Sequence, residues 1–84
     1  ECIATPGHSA GGMCFYAKES GILFAGDTLF QGSIGRTDFQ DGNYAQLIHS
    51  IQTRLFVLPP STTVYTGHGN PTTIGDEIKY NPYL

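Results

Sequence analysis

Residues 22–30 read Ile-Leu-Phe-Ala-Gly-Asp-Thr-Leu-Phe, and the rest of the chain is organised around them. The four apolar residues at 22–25 predict a short strand that is buried on both faces, and the glycine ends it. Asp27 then places a carboxylate at the end of an apolar strand, where a charge is costly unless a cation meets it. The stretch therefore predicts a core strand with a functional carboxylate at its carboxyl end.

Two further segments repeat this order of strand, glycine and metal-capable side chain. Cys-Ile-Ala-Thr-Pro-Gly at 2–7 leads to His8, and Thr-Val-Tyr-Thr-Gly at 63–67 leads to His68. Side chains at the ends of neighbouring strands converge although they are far apart in the sequence, and imidazole with carboxylate suits Zn(II), Fe(II) or Mn(II). We therefore predict that His8, Asp27 and His68 form a metal site. His49 lies inside a predicted helix, follows no glycine, and is excluded as a ligand.

The pattern predicts four strands, at residues 2–5, 13–18, 22–25 and 62–66. Residues 26–42 predict a long irregular loop, a length that usually indicates function. Asn43 and Gln46 predict a capping box, after which one helix face carries Tyr44, Leu47, Ile48, Ile51 and Leu55. Thr73 with Asp76 predicts the start of a short second helix.

Composition limits the classes of protein to which the chain can belong. With 84 residues it forms at most one small domain, whose core is marginal unless something else covers it. A net charge of −3 gives no reason to expect nucleic acid or an anionic membrane as a partner. No apolar run approaches the ~20 residues of a membrane span.

The chain begins Glu1-Cys2-Ile3 without an initiator methionine, so we expect it to be a piece of a longer protein. The strand pairing that we expect places Cys2 nearer Tyr16 and Cys14 nearer Ala4. We therefore expect two reduced, half-buried thiols and a cytoplasmic protein.

Several segments in combination resemble a known family: Thr-Pro-Gly-His-Ser-Ala-Gly-Gly at 5–12, Leu-Phe-Ala-Gly-Asp-Thr-Leu-Phe at 23–30, Gly-Arg-Thr-Asp-Phe at 35–39, Tyr-Thr-Gly-His-Gly at 65–69 and Asn-Pro-Tyr-Leu at 81–84. Together they resemble the metallo-β-lactamase superfamily, most of all its glyoxalase II-like branch of hydroxyacylglutathione hydrolases. The resemblance implies an α/β fold that is half of an αββα sandwich, with mainly antiparallel strands and two helices. Residues 1–84 would be the C-terminal part of that domain.

The resemblance also implies roles for individual residues. His8 would ligate a first metal, His68 a second, and Asp27 would bridge the two and be catalytic. Two Zn²⁺ ions per complete domain are expected, with Fe or Mn as alternatives, and a metal-bound hydroxide would attack a thioester or related ester of a small molecule. Arg36 would bind substrate, although an ion pair with Asp38 is an equally good interpretation.

The His-x-His-x-Asp-His motif of the superfamily is absent, so each metal has at most two protein ligands here, and the isolated chain should be inactive. Two alternatives stay open. Gly-Arg-Thr-Asp-Phe also resembles persulfide dioxygenases, which use one Fe(II). The chain would otherwise be a non-catalytic half-domain that associates with its missing half or with itself.

Overall fold

The computed structural model describes residues 1–9, 11–38 and 42–84. Along the chain the elements are β1 (Cys2–Ala4), β2 (Met13–Ala17), β3 (Ile22–Gly26), β4 (Leu29–Phe30), β5 (Ser33–Ile34), α1 (Tyr44–Ser50), a π-helical segment (Ile51–Leu55), β6 (Thr63–Thr66), β7 (Thr72–Thr73) and α2 (Ile74–Tyr80). Five strands form one sheet in the order β1-β2-β3-β6-β7, and β4 pairs with β5. All these pairs are antiparallel except β3 with β6, which is parallel. This is the predicted mixture of mostly antiparallel strands and two helices.

Strand β3 is buried on one face only, so the prediction of burial on both faces is wrong. Leu23 and Ala25 are fully buried, whereas Phe24 between them is 48% exposed. The buried face belongs to the same core cluster as Leu47 and Ile51 of the helical region. The helices thus cover one face of the sheet. Because successive side chains of a strand point to opposite faces, Phe24 lies on the other face, and four consecutive apolar residues do not show this alternation.

The opposite face of the sheet carries three neighbouring aromatic side chains, here called the aromatic face (Phe15, Phe24 and Tyr65). The rings of Phe15 and Phe24 lie 6.3 Å apart, and those of Phe24 and Tyr65 are stacked at 5.8 Å. All three side chains are between 44% and 49% exposed. Adjacent exposed apolar side chains of this kind are typical of an interaction surface. In a sandwich, a sheet face of this kind packs against a second sheet.

Helix α1 begins at the predicted cap, but only half of the predicted capping box forms. The Asn43 side chain accepts a hydrogen bond from the Gln46 backbone N–H at 2.9 Å. The Asn43 N–H donates instead to the Gly7 carbonyl at 2.7 Å, which fastens the helix start to the loop before His8. In α2 the Thr73 hydroxyl caps the Asp76 N–H as predicted. In the described part of the chain no helix is long and apolar enough to cross a membrane.

The predicted irregular loop at 26–42 contains regular structure. Strands β4 and β5 form a hairpin in which Leu29 pairs with Ile34 and Phe30 with Ser33. Gly32 turns the hairpin with a φ of +70°, a conformation that favours glycine. Residues 39–41 of the predicted loop lie outside the described residues.

The cysteines are free, but the predicted register between β1 and β2 is wrong by one residue. Cys2 lies opposite Phe15, and Cys14 opposite Ile3. A hydrogen bond from the Thr5 N–H to the Gly12 carbonyl continues this observed register beyond the pair of Ala4 and Met13. Cys2 is exposed and Cys14 is buried, so neither is half-buried. Burial raises the pKa of the Cys14 thiol, and hydrogen bonds with Thr5 and Thr28 oppose that rise.

We predict that the 84-residue chain by itself associates through the aromatic face. Size-exclusion chromatography with light scattering at micromolar concentration should show an oligomer, and Phe24→Asp should shift it toward monomer because a charge on this surface resists desolvation. Ile78→Asp is the matched control, since Ile78 is 47% exposed and lies on α2 rather than on the aromatic face. A monomeric wild-type chain, or equal effects of the two substitutions, would contradict the prediction.

Candidate metal centre

The three predicted ligands lie at one edge of the sheet. Strands β3 and β6 run parallel, so Asp27 and His68 follow strands whose carboxyl ends meet. Strand β1 is antiparallel to β2, which is antiparallel to β3, so β1 also points toward this edge and the loop after it carries His8. Topology therefore brings together residues that are dozens of positions apart in the sequence.

The Asp27 carboxylate lies between the two imidazoles. Nε2 of His8 is 3.9 Å from Asp27 Oδ2, and Nε2 of His68 is 3.7 Å from Asp27 Oδ1. Each ring thus faces a different carboxylate oxygen. The three side chains, together with Phe30 and Arg36, line an open cavity of about 290 Å³. A small-molecule group can therefore reach all of these side chains from solvent.

A backbone contact orients the His8 ring. Nδ1 of His8 lies 2.7 Å from the Arg36 carbonyl oxygen. Because a carbonyl can only accept, Nδ1 carries the proton, and Nε2 is the nitrogen that faces Asp27. Metal-ligating histidines use the same arrangement, in which the second ring nitrogen donates to a backbone carbonyl.

The loop before His8 is held against helix α1. The Ser50 hydroxyl donates to the Pro6 carbonyl at 2.7 Å. Gly7 has a φ of +141°, and a Cβ at this position would lie 2.3 Å from Cα of Leu47. Glycine is therefore required here for both its backbone angle and its size, and the helix fixes where the His8 loop begins.

Hydrogen bonds hold the two residues on either side of Asp27, namely Gly26 and Thr28. The Gly67 N–H donates to the Gly26 carbonyl at 2.8 Å, which joins the ends of β6 and β3. The Thr28 hydroxyl lies 3.3 Å from the buried Thr5 hydroxyl, which joins the ends of β3 and β1. These two contacts lie on either side of Asp27 and fix its backbone relative to the segments that lead to His68 and His8.

The donor set fits divalent metal ions. Two ligands on a tetrahedral ion with bonds of about 2.1 Å are ~3.4 Å apart, close to both observed nitrogen–oxygen separations. Carboxylate oxygen and neutral imidazole nitrogen are the donors that zinc, iron and manganese accept. Within residues 1–9, 11–38 and 42–84, however, no three His, Cys, Asp or Glu side chains close around one ion. Each imidazole, together with the Asp27 oxygen that it faces, would supply two ligands to a metal ion. A complete metal site therefore needs further ligands from outside the described residues.

Arg36 forms the ion pair with Asp38 that was one of its two interpretations. Its Nε and Nη2 donate to the two Asp38 oxygens at 3.1 and 2.9 Å. The hydrogen bonds from Arg36 hold the pKa of Asp38 below its usual range, and those to Asp38 raise the pKa of Arg36. Both side chains are largely exposed, so the pair contributes little to stability. A substrate role for Arg36 remains a prediction.

His49, excluded as a ligand, is exposed on α1 and does not line the cavity that contains His8, Asp27 and His68. The structure adds three elements that sequence reasoning missed. They are the Arg36 carbonyl, the ring of Phe30 at 6.1 Å from that of His68, and the buried carboxylate of Glu77. A main-chain acceptor leaves no trace in the residue letters. Glu77 follows a capping threonine closely and reads as an ordinary helix-start acid.

Residues 2–68, which include all three predicted ligands, match the metallo-beta-lactamase superfamily. The chain belongs to the metallo-β-lactamase superfamily. This confirms the family that the motifs resembled, and with it the fold class.

Individual relatives in this superfamily are similar over the whole chain or nearly so. The hydroxyacylglutathione hydrolase GloC of Haemophilus influenzae is 48% identical over 84 residues, which are 100% of this chain and 40% of GloC. A crystal structure of TTHA1623 in a di-iron-bound form has a TM-score of 0.96 and 44% identity, covering 100% of this chain and 42% of that one. A crystal structure of ETHE1 from Myxococcus xanthus has a TM-score of 0.91 and 40% identity, covering 98% and 37%. The chain thus spans about 40% of the length of these relatives.

We predict that Gly67→Ala weakens metal binding without unfolding the protein. A Cβ at Gly67 would lie 2.8 Å from Asp27 Oδ1 and 3.0 Å from the Gly26 carbonyl oxygen, so the carboxylate must move. Zinc affinity of the complete domain, measured by competition with a chromogenic chelator, should fall at least ~10-fold, as for loss of an outer partner of a ligand.

Gly11→Ala is the control for this substitution, since a Cβ at Gly11 meets nothing within 4 Å. Equal zinc affinity in the two variants would show that the carboxylate position does not limit binding.

Proposed function

We propose that this chain is the C-terminal part of a metal-dependent hydrolase of the glyoxalase II-like type. The observation that carries the proposal is the pair of imidazoles on opposite oxygens of one carboxylate. Because each Asp27 oxygen faces a different imidazole, the carboxylate suits a bridge between two metal ions. His8 would then be a ligand of one ion and His68 a ligand of the other. The chemistry that two such ions supply when bound is activation of water and stabilisation of negative charge on an attacked carbonyl oxygen.

The chain's own residues would perform three tasks in this reaction. The Nδ1–H of His8 would donate to the Arg36 carbonyl oxygen, so that Nε2 is the ring nitrogen that binds a metal. Asp27 would be a ligand of both ions and would supply them with negative charge. Phe30 beside His68 gives the cavity an apolar wall, which excludes water from one side of a bound acyl group.

The substrate that we propose is a thioester or a related ester of a small molecule. The relative from Haemophilus influenzae, named a hydroxyacylglutathione hydrolase, supports this class. Arg36 lies on the rim of the same cavity, and we propose that it binds an anionic group of the substrate. Its ion pair with Asp38 is exposed, so exchange for a substrate carboxylate costs little.

We also propose that a preceding segment completes the domain. It would supply the remaining metal ligands, which a catalytic site with three protein ligands requires. It would also cover the aromatic face, as the second sheet of a sandwich does. Without that segment the chain would lack the remaining metal ligands, and its aromatic face would be exposed to solvent.

The second candidate is a mononuclear Fe(II) enzyme that resembles persulfide dioxygenases. The sequence Gly-Arg-Thr-Asp-Phe at 35–39 favours it, because this segment resembles persulfide dioxygenases. Metal analysis of the complete domain distinguishes the candidates. One iron per chain favours the dioxygenase, whereas two metal ions favour the hydrolase.

We predict that the complete domain hydrolyses S-lactoylglutathione in a metal-dependent reaction and that the 84-residue chain alone does not. Asp27→Asn should lower kcat/KM by at least ~100-fold, the upper range for loss of an outer partner of a ligand, because Asp27 would itself bind both ions. Absorbance of the thioester reports the reaction.

Asp76→Asn is the matched control, because Asp76 is exposed on α2 and does not line the cavity that contains Asp27. Full activity of Asp27→Asn, activity that survives removal of metal, or turnover by the isolated chain would each contradict part of this proposal.

A further inference from the structure

Helix α2 meets the β4–β5 hairpin through a buried acidic side chain. Glu77 is only 3% exposed, and none of the ion pairs between described residues involves it. Its Oε1 accepts hydrogen bonds from the Gly32 N–H at 3.0 Å and from Asn81 Nδ2 at 2.8 Å. Its Oε2 accepts from the Thr72 hydroxyl at 2.6 Å. Because a buried carboxylate is costly unless it is hydrogen-bonded, these contacts fix the hairpin turn to the helix.

Asn81 makes a second connection between the same two elements. It is 5% exposed, and its Nδ2 also donates to the Ser33 carbonyl at 2.9 Å. Its Oδ1 accepts from the Tyr83 N–H at 3.0 Å, which fixes the orientation of the amide. Gly32 and Ser33 of the hairpin are thus hydrogen-bonded to Glu77 within α2 and to Asn81 directly after it, respectively.

The hairpin leads directly to the metal centre. The Gly35 N–H donates to the Thr28 carbonyl at 3.0 Å, and Gly35 lies so close to the Asp27 carbonyl oxygen that a Cβ would be 1.9 Å from it. The next residue, Arg36, supplies the carbonyl that receives the His8 Nδ1–H. Only two residues separate Ser33 from this acceptor, so a shift of the anchored turn would move the acceptor as well.

We propose that Glu77 and Asn81 are positioning residues for the metal centre, acting through the hairpin on the His8 ring. This inference rests on the proposed metal-dependent function for its purpose, but the hydrogen bond that it concerns exists without metal. Loss of either side chain would free the turn, let the Arg36 carbonyl move, and leave the His8 ring without its orienting acceptor. The expected consequence is weaker metal binding in a protein that is still folded.

A set of substitutions separates positioning from general stability. Glu77→Ala removes all three hydrogen bonds, and Asn81→Ala removes the contact to Ser33 while Glu77 keeps two. Glu77→Gln should restore function, since its amide oxygen accepts from Gly32 and Asn81 while the Thr72 hydroxyl turns to accept from its amide nitrogen. Ile74→Val is the control, because Ile74 is fully buried in the same helix and makes none of these contacts.

The first readout is the Nδ1 proton of His8, observed by proton–nitrogen NMR of the metal-free complete domain. We expect a slowly exchanging signal in the wild type, Glu77→Gln and Ile74→Val, and its loss or fast exchange in Glu77→Ala and Asn81→Ala. The second readout is zinc affinity, which should fall ~10-fold or more in the two alanine variants.

A retained His8 signal in both alanine variants overturns the inference, as does equal loss of the signal in Ile74→Val. If Glu77→Ala does not fold, Asn81→Ala decides, because it leaves most of the contacts of Glu77 in place. Absence of zinc binding by the wild type overturns the proposed function instead, and the NMR signal still decides whether Glu77 and Asn81 orient His8.

Discussion

The geometry of the site depends on the parallel pairing of β3 and β6, which places the Asp27 carboxylate beside the loop that carries His68. Gly26 pairs with Thr66 at the end of this ladder, and the Gly67 N–H continues it by donating to the Gly26 carbonyl. The carboxylate is 53% exposed, so water solvates it until a cation arrives. Parallel strands end at the same edge of a sheet, and this rule explains why distant residues converge here. The pairing of the strands therefore determines where Asp27 lies relative to His68, and the hydrogen bonds of the loops stabilise that arrangement.

Around this edge, backbone groups contribute as much to the site as side chains do. The His8 ring is oriented by a carbonyl, and the Asp27 loop by two N–H groups, those of Gly35 and Gly67. Glycines allow these close approaches, since a side chain at Gly67 would meet the carboxylate itself. A Cβ at Gly7, Gly35 or Gly67 would therefore displace atoms on which the geometry of the site depends.

Much of this site could be predicted from the order of strand, glycine and ligand, because strand direction decides which edge each ligand reaches. The register of β1 with β2 could not be predicted from the residues. It differs by one residue from the expected pairing, and the hydrogen bond from the Thr5 N–H to the Gly12 carbonyl follows the observed register. Burial of β3 was overestimated because a run of apolar letters does not distinguish an inward Leu23 from an outward Phe24. The β4–β5 hairpin was missed because its strands have two residues each and are stabilised from outside by Glu77. Long-range hydrogen bonds of this kind carry no local sequence signal.

We propose that His8, Asp27 and His68 bind metal together, with Asp27 as the bridge. Anomalous diffraction from crystals of the complete domain grown with zinc would locate the bound ions. We expect two peaks at the edge of the sheet, each about 2.0–2.2 Å from a different Asp27 oxygen, with His8 Nε2 on one ion and His68 Nε2 on the other. Peaks that do not contact Asp27, or histidine rings that bind no ion, would contradict it.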